Sequence, residues 1–238
     1  MLTPPSTDAT AKATHAALLD IEAKAHAALR ATASQPHSFD DPIVASREIG
    51  ARVMPVILAA KGAARRVGAQ RMQSEVDATA RGQRVALAHD EHKITAGADR
   101  LAAERASRTY SDALLREAQR ILDAADRAQA STIVSATDRA LDEIARNEVA
   151  SAFSDERRRL ERAAKREHAG TNWFPAMLKM WDATLDRKTC PRCERLDGKI
   201  RPWGVDFSGH AEPPVHGRCR CVCIFVASPL FLGRSEAA

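Results

Sequence analysis

Between positions 98 and 169, apolar residues recur at spacings of mostly three and four: Leu114, Leu115, Ala118, Ile121, Leu122, Ala125, Ile133, Val134, Leu141, Ile144, Val149, Phe153 and Leu160. That is the helical period, and the stretch contains neither glycine nor proline. Unbroken, it would reach about 100 Å at ~1.5 Å per residue. A break is expected near 151–154, where Ser154-Asp155-Glu156 offers a cap for a new helix. The apolar stripe is narrow and alanine-heavy, so it predicts coiled-coil or bundle packing against helices of other chains.

Upstream, residues 1–7 read as a disordered tail. A first helix is expected from about Asp8 to Ser34, with Leu18, Leu19, Ile21, Ala25 and Leu29 on one stripe. The prolines and Asx residues of 35–42 predict a loop. A second helix should begin at Pro42 or Ile43 behind an Asp41 cap and kink at Pro55. Gly62, Gly68 and Gly82 predict a broken helical stretch over 62–97.

Past residue 170 the pattern changes. Residues 171–187 predict a short helix after Pro175 that buries Met177, Leu178 and Trp181. Leu196-Asp197-Gly198 is a turn ahead of a strand over 199–203, and 221–226 reads as a closing strand. Composition divides at the same place. All three Trp, all five Cys and four of the six Phe lie in 171–238, whereas 1–170 is alanine-rich with one Tyr and two Phe. The expected fold is therefore mainly α: a long helical region over 8–170 and a small α+β domain over 171–238.

Charge alters this picture little. Lys+Arg 36 against Asp+Glu 31 gives a net +5, too mild and too mixed to argue for nucleic acid. The basic run Arg157-Arg158-Arg159 with Arg162, Lys165 and Arg166 is offset by Asp155, Glu156, Glu161 and Glu167, as on a solvated helix face. The first ten residues lack a basic and an apolar signal region, and the longest aliphatic stretch, near 53–60, is far short of a bilayer span. A chain made in a reducing cytosol, with no membrane contact, is expected.

In that setting clustered cysteines favour metal over disulfides. Cys190-Pro191-Arg192-Cys193 and Cys219-Arg220-Cys221-Val222-Cys223 hold every cysteine, with His216 three positions before the second group. A CxxC turn aims two sulfurs at one point, and alternate residues of an extended segment can return two more, which is what tetrahedral Zn2+ requires. Cys190 and Cys193 are the safest ligands, Cys219 and Cys221 follow, and His216 competes with one of them. Cys223 continues the alternation and can pack as a small hydrophobe. A core this small contributes only about 3–5 kcal/mol. A structural zinc contributes on the order of 10–16 kcal/mol in small peptides, so the metal is expected to staple this domain.

These residues carry a resemblance. Trp181, Asp186-Arg187-Lys188-Thr189-Cys190-Pro191-Arg192-Cys193, Leu196-Asp197-Gly198-Lys199, Phe207 and Pro213-Pro214-Val215-His216-Gly217-Arg218-Cys219-Arg220-Cys221 resemble the phage Mu F-like family of minor head, or head morphogenesis, proteins. The similarity covers roughly 171–226, and Gly217 stands where members often have proline. It implies a structural minor capsid protein, made in the host cytoplasm and incorporated into the virion during procapsid assembly. It also implies association with the portal, with major capsid or scaffold protein and, non-specifically, with packaged DNA, in multiple copies per particle.

An enzyme is not expected. Four to six sulfur and imidazole candidates suffice to fill a zinc coordination sphere, whereas a catalytic zinc keeps a position open. A deaminase needs His-x-Glu ahead of Pro-Cys-x-x-Cys; Cys190-Pro191-Arg192-Cys193 has no proline before its first Cys, and His168 has no Glu two positions on. No P-loop, Gly-x-Ser-x-Gly or His-Glu-x-x-His is present either. The competing readings are a zinc-stabilised DNA-binding module with a coiled-coil arm, and a toxin- or nuclease-type enzyme. Ten Lys/Arg against seven Asp/Glu in 171–238 support at most weak phosphate binding.

Overall fold

The computed structural model describes residues 5–35, 38–80, 87, 95–124, 130–167, 177–183, 189–207, 212–217 and 219–227. Its elements run α1 (Pro5–Ala33), α2 (Pro42–Thr79), α3 (Thr95–Ala124), α4 (Ala130–Ala136), α5 (Asp138–Glu167), β1 (Met177–Asp182), α6 (Pro191–Leu196), β2 (Ile200–Pro202) and β3 (Val222–Ala227). The chain is thus mainly helical, with a small sheet near its C-terminal end.

Local chemistry accounts for several boundaries. Asp41 caps α2, its Oδ1 accepting from the backbone N–H of Ile43 at 2.9 Å and Val44 at 3.1 Å, with Pro42 at the first helical position. Pro5 opens α1, so 5–7 of the expected tail are helical, while 1–4 lie outside the described residues. The broken stretch expected after Gly62 is absent up to Thr79, because α2 runs through Pro55, Gly62 and Gly68. Gly68 serves packing instead: a Cβ there would lie 2.7 Å from the Phe153 carbonyl oxygen of α5. Gly82 lies outside the described residues.

The break expected at 151–154 is also displaced. α5 passes through those positions, and Ser154 is buried. The chain turns instead at Thr137, between α4 and α5, where the Thr137 hydroxyl donates to the carbonyls of Ile133 and Val134 and meets the Tyr110 hydroxyl at 3.2 Å. Residues 125–129 lie outside the described residues.

Two compact units divide the chain, one built from 1–19, 64–91 and 150–238, the other from 20–63 and 92–149. The first unit has one shared core. Ala69, Met72 and Val76 of α2 and Leu160 and Ala164 of α5 form one buried cluster with Met177, Trp181, Leu196, Trp203, Phe207, Phe225 and the cysteines. The small sheet buries its apolar face on those helices.

Among the described residues, the regular elements of the second unit are all helices. Ile21 and Leu29 of α1, Ile49, Val53 and Ile57 of α2, Tyr110 and Leu114 of α3, Ile133 of α4 and Leu141 and Val149 of α5 are buried. Much of the alanine-heavy stripe is therefore covered by the chain's own helices. Leu19, Ile43, Val44 and Leu101 remain exposed.

Residues 177–182 form a strand, not the short helix expected there. β1 is the centre of an antiparallel sheet ordered β2-β1-β3, pairing Lys179 with Arg201 and with Phe225. Helix-forming residues such as Met, Leu and Lys take the extended form because β1 gains backbone bonds on both sides; propensity is a weak prior against that. In this strand Met177, Lys179 and Trp181 share the buried face.

Both sheet edges are closed. The Trp181 N–H bonds Lys199 and its carbonyl accepts from Gly198, so 177, 179 and 181 turn their backbone groups toward β2 and the intervening residues turn theirs toward β3. Cys223 and Phe225, opposite Trp181 and Lys179, must then point theirs outward. A side-chain pair from the helices meets them. Arg157 of α5 donates to the Cys223 carbonyl, and the Phe225 N–H donates to Glu75 of α2 at 2.9 Å. On the β2 edge Pro202 has no N–H, its carbonyl takes the Val205 N–H, and Arg201 donates to the Ile200 carbonyl. Such closure removes a template for unwanted strand pairing.

Candidate metal centre

α6 is the first wall of the site. Cys190 occupies its N-cap, with Sγ accepting the Cys193 backbone N–H at 3.3 Å and Pro191 at the first helical position. One short turn thereby brings the sulfurs of Cys190 and Cys193 to the same side. Asp197 ends the turn, its Oδ1 accepting the Ala183 N–H at 2.8 Å, and Gly198 follows at φ +69. The role of Asp197 is thus to fasten this turn to the end of β1.

The second wall comes from 212–221. After the cis Pro213–Pro214 bond, the Cys219 N–H bonds the His216 carbonyl, closing a turn. His216 presents Nε2 at 3.1 Å from the Cys190 sulfur and 3.2 Å from that of Cys193. Its Nδ1 lies 2.7 Å from the Gly217 carbonyl oxygen. A carbonyl only accepts, so Nδ1 carries the proton and the Nε2 lone pair faces the sulfurs, the tautomer a metal ligand needs. The Cys193 and Cys219 sulfurs are 3.9 Å apart.

Two trios result, Cys190–Cys193–His216 and Cys193–Cys219–Cys221, each with its donor atoms within 4.8 Å of one another. Tetrahedral zinc, with Zn–S of ~2.3 Å and Zn–N of ~2.0–2.1 Å, sets S···S edges near ~3.8 Å and S···N edges near ~3.5 Å. The S···N separations of 3.1 and 3.2 Å and the S···S separation of 3.9 Å lie within a few tenths of an ångström of these edges. The five expected donors fall in two trios joined at Cys193, a Cys/His cluster that can hold a metal ion. Cys223, two positions further, is buried in the core with its thiol pushed up by burial.

The electrostatics of the cluster suit a thiolate-binding ion. Cys219 is drawn well below the usual thiol range, chiefly by a hydrogen bond from the Cys221 thiol. Cys221 is raised by the same bond and by burial, and Cys193 is raised by burial. Burial opposes ionisation of Cys190, but backbone and side-chain hydrogen bonds from Cys193 leave it below its ordinary value. His216 is raised, first through its bond to the Gly217 carbonyl. Thiolate character is thus uneven in the absence of a cation, and a dication would draw out the remaining protons.

Beneath the centre lies a layer of buried charge that the sequence did not reveal. Lys179, on the inward face of β1, sits 2.9 Å from both Glu161 of α5 and Glu212 of the ligand loop, and Glu161 also accepts the Gly204 N–H. Glu212 is pushed up to about 7 by burial and by the neighbouring Glu161, against the pull of Lys179. The second set is Glu75, Arg157 and the Thr14 hydroxyl, which donates to Glu75 at 2.6 Å. Arg157 also stacks over Phe153 and Phe225. The run Arg157–Arg159 is therefore not one solvated face. Arg157 is buried, while Arg158 and Arg159 pair with Asp155 and Glu156 on their own helix. A strand reading of 177–182 would have exposed the signal, since Lys179 alternates with Met177 and Trp181.

Comparison with protein-family models, with curated proteins and with solved structures finds no match. Among the described residues no helix is long and apolar enough to cross a membrane.

Proposed function

We propose that this chain is a structural protein of tailed-phage heads, a minor head protein that docks at or near the portal during procapsid assembly. Its C-terminal part is held by one structural zinc ion. The observation that carries this reading is the coincidence of two residue sets. The positions that resemble the Mu F-like pattern, Cys190, Cys193, Leu196-Asp197-Gly198, His216, Cys219 and Cys221, are the ones that build the metal centre and its supporting turn.

Zinc suits the donors, since thiolate and imidazole together favour this borderline-soft ion. Bound there, it would neutralise thiolate charge and cross-link α6 to the segment leading into β3. A non-catalytic role is supported by the donor count: the two trios offer five candidate groups where a tetrahedral ion needs four, leaving none for substrate. The basic run adds little to the DNA-binding alternative, because three of its arginines are paired with carboxylates.

The test is assembly. The full chain produced with the portal protein of its phage should co-sediment with it, and heads made without the chain should be defective. Infectious particles that lack the chain, together with zinc-dependent turnover of nucleic acid or nucleotide by the purified protein, would reverse the choice in favour of an enzyme.

A further inference from the structure

The centre has one donor more than a tetrahedral ion accepts, and the five are not equivalent. Cys193 belongs to both trios. Cys190 and Cys193 face the His216 Nε2 within 3.2 Å, and Cys219 stands 3.9 Å from Cys193. Cys219 joins the first trio through Cys193, which would give a three-sulfur, one-nitrogen set, whereas Cys221 belongs to the second trio alone, its sulfur within 4.8 Å of those of Cys193 and Cys219.

Mobility separates the two candidates for the last position. Cys219 and Cys221 are buried in an extended run continuous with β3, whose outer edge is pinned by Arg157 and Glu75. His216 is exposed, on a turn whose next residue is Gly217, with open space where a Cβ would stand. The imidazole can swing out of the site without disturbing packed structure, and the sulfur of Cys221 stays in place when it does.

We propose that the coordination is exchangeable: His216 closes a three-thiolate site at rest, and Cys221 replaces it as fourth ligand when the imidazole leaves. In the exchange the Nε2–metal bond breaks, a sulfur–metal bond to Cys221 forms, and the Cys221 thiol proton goes to solvent. The ion stays bound while the exposed His216 and Gly217 become free to engage a neighbouring protein. The inference rests on the metal reading above.

Cobalt(II) in place of zinc reports the ligands directly, because thiolate-to-cobalt charge-transfer intensity scales with the number of bound sulfurs. In the full-length protein, wild type and Cys221→Ser should each bind one cobalt with the intensity of three thiolates. His216→Ala should keep its cobalt and rise to four. The double variant His216→Ala/Cys221→Ser should bind at least tenfold more weakly than either single variant. A His216→Ala protein that holds cobalt at three thiolates, or loses it while wild type binds, overturns the exchange alone. Four thiolates in wild type overturn it too. A wild-type chain that takes up no cobalt removes the metal reading and the exchange with it. Circular dichroism at wild-type helicity for each variant separates ligand loss from unfolding.

Discussion

Removing the Glu75 carboxylate should destabilise the sheet-bearing unit far more than a surface substitution. Glu75 is fully buried and serves four partners: the Arg157 guanidinium, the Phe225 N–H, the Thr14 hydroxyl and, through Arg157, the Cys223 carbonyl. Glu75→Leu strands a buried cation, and breaking one side of a buried pair costs about 3–5 kcal/mol. Arg157→Met strands the carboxylate and should cost a similar amount. The double variant decides what the pair is for. If it were only an ion pair, replacing both partners by apolar groups would be near neutral. Here it also caps a strand edge, so the Phe225 N–H and Cys223 carbonyl stay orphaned, at about 1–3 kcal/mol each. A double-variant loss of about 2–6 kcal/mol is expected, smaller than the two single losses added together. Because all three Trp lie in 171–238, tryptophan fluorescence during urea unfolding follows this unit selectively. For a chain of this size the single variants should lower Tm by roughly ten degrees. Single losses under about 1 kcal/mol would refute the burial argument, and a double variant as stable as wild type would refute the edge-capping argument.

Three further outcomes are expected. Purified protein should carry close to one zinc per chain by elemental analysis, and Cys193→Ser, which removes the donor common to both trios, should lose the metal and several kcal/mol of stability on the scale of structural zinc sites. Glu212, raised to about 7 from an ordinary 4.5, binds its proton more tightly folded than unfolded, so its contribution is complete below the unfolded value and is lost as pH rises through about 7; Glu212→Gln should flatten the fall in stability between pH 5 and 8, and an unchanged slope would contradict the assignment. Gly68→Ala should destabilise by about 1–2 kcal/mol despite the better helix propensity of alanine, because its Cβ would meet the Phe153 backbone oxygen at 2.7 Å and that backbone lies inside α5; a raised Tm would contradict it.

What the chain declared by itself was whatever is local. Spacings of three and four, the Asp41 cap, and the absence of glycine and proline over 98–169 announced the helices. The CxxC turn and the alternation at Cys219 and Cys221 announced the candidate donors, since such knuckles aim their sulfurs through backbone geometry within a few residues. The sulfur and imidazole donors expected to compete are all at the site. Other features depended on partners distant in sequence. Residues 177–182 became a strand because 200–202 and 222–227 arrived on either side. Gly68, which weakens a helix in isolation, lets the α5 backbone at Phe153 come close to α2. The arginine run looked like a solvated face because its neighbours in sequence are acidic, yet Arg157 is matched by Glu75, 82 positions away. Burial decides whether a charge is a surface ornament or part of the frame, and burial is a property of what covers a residue rather than of the residue.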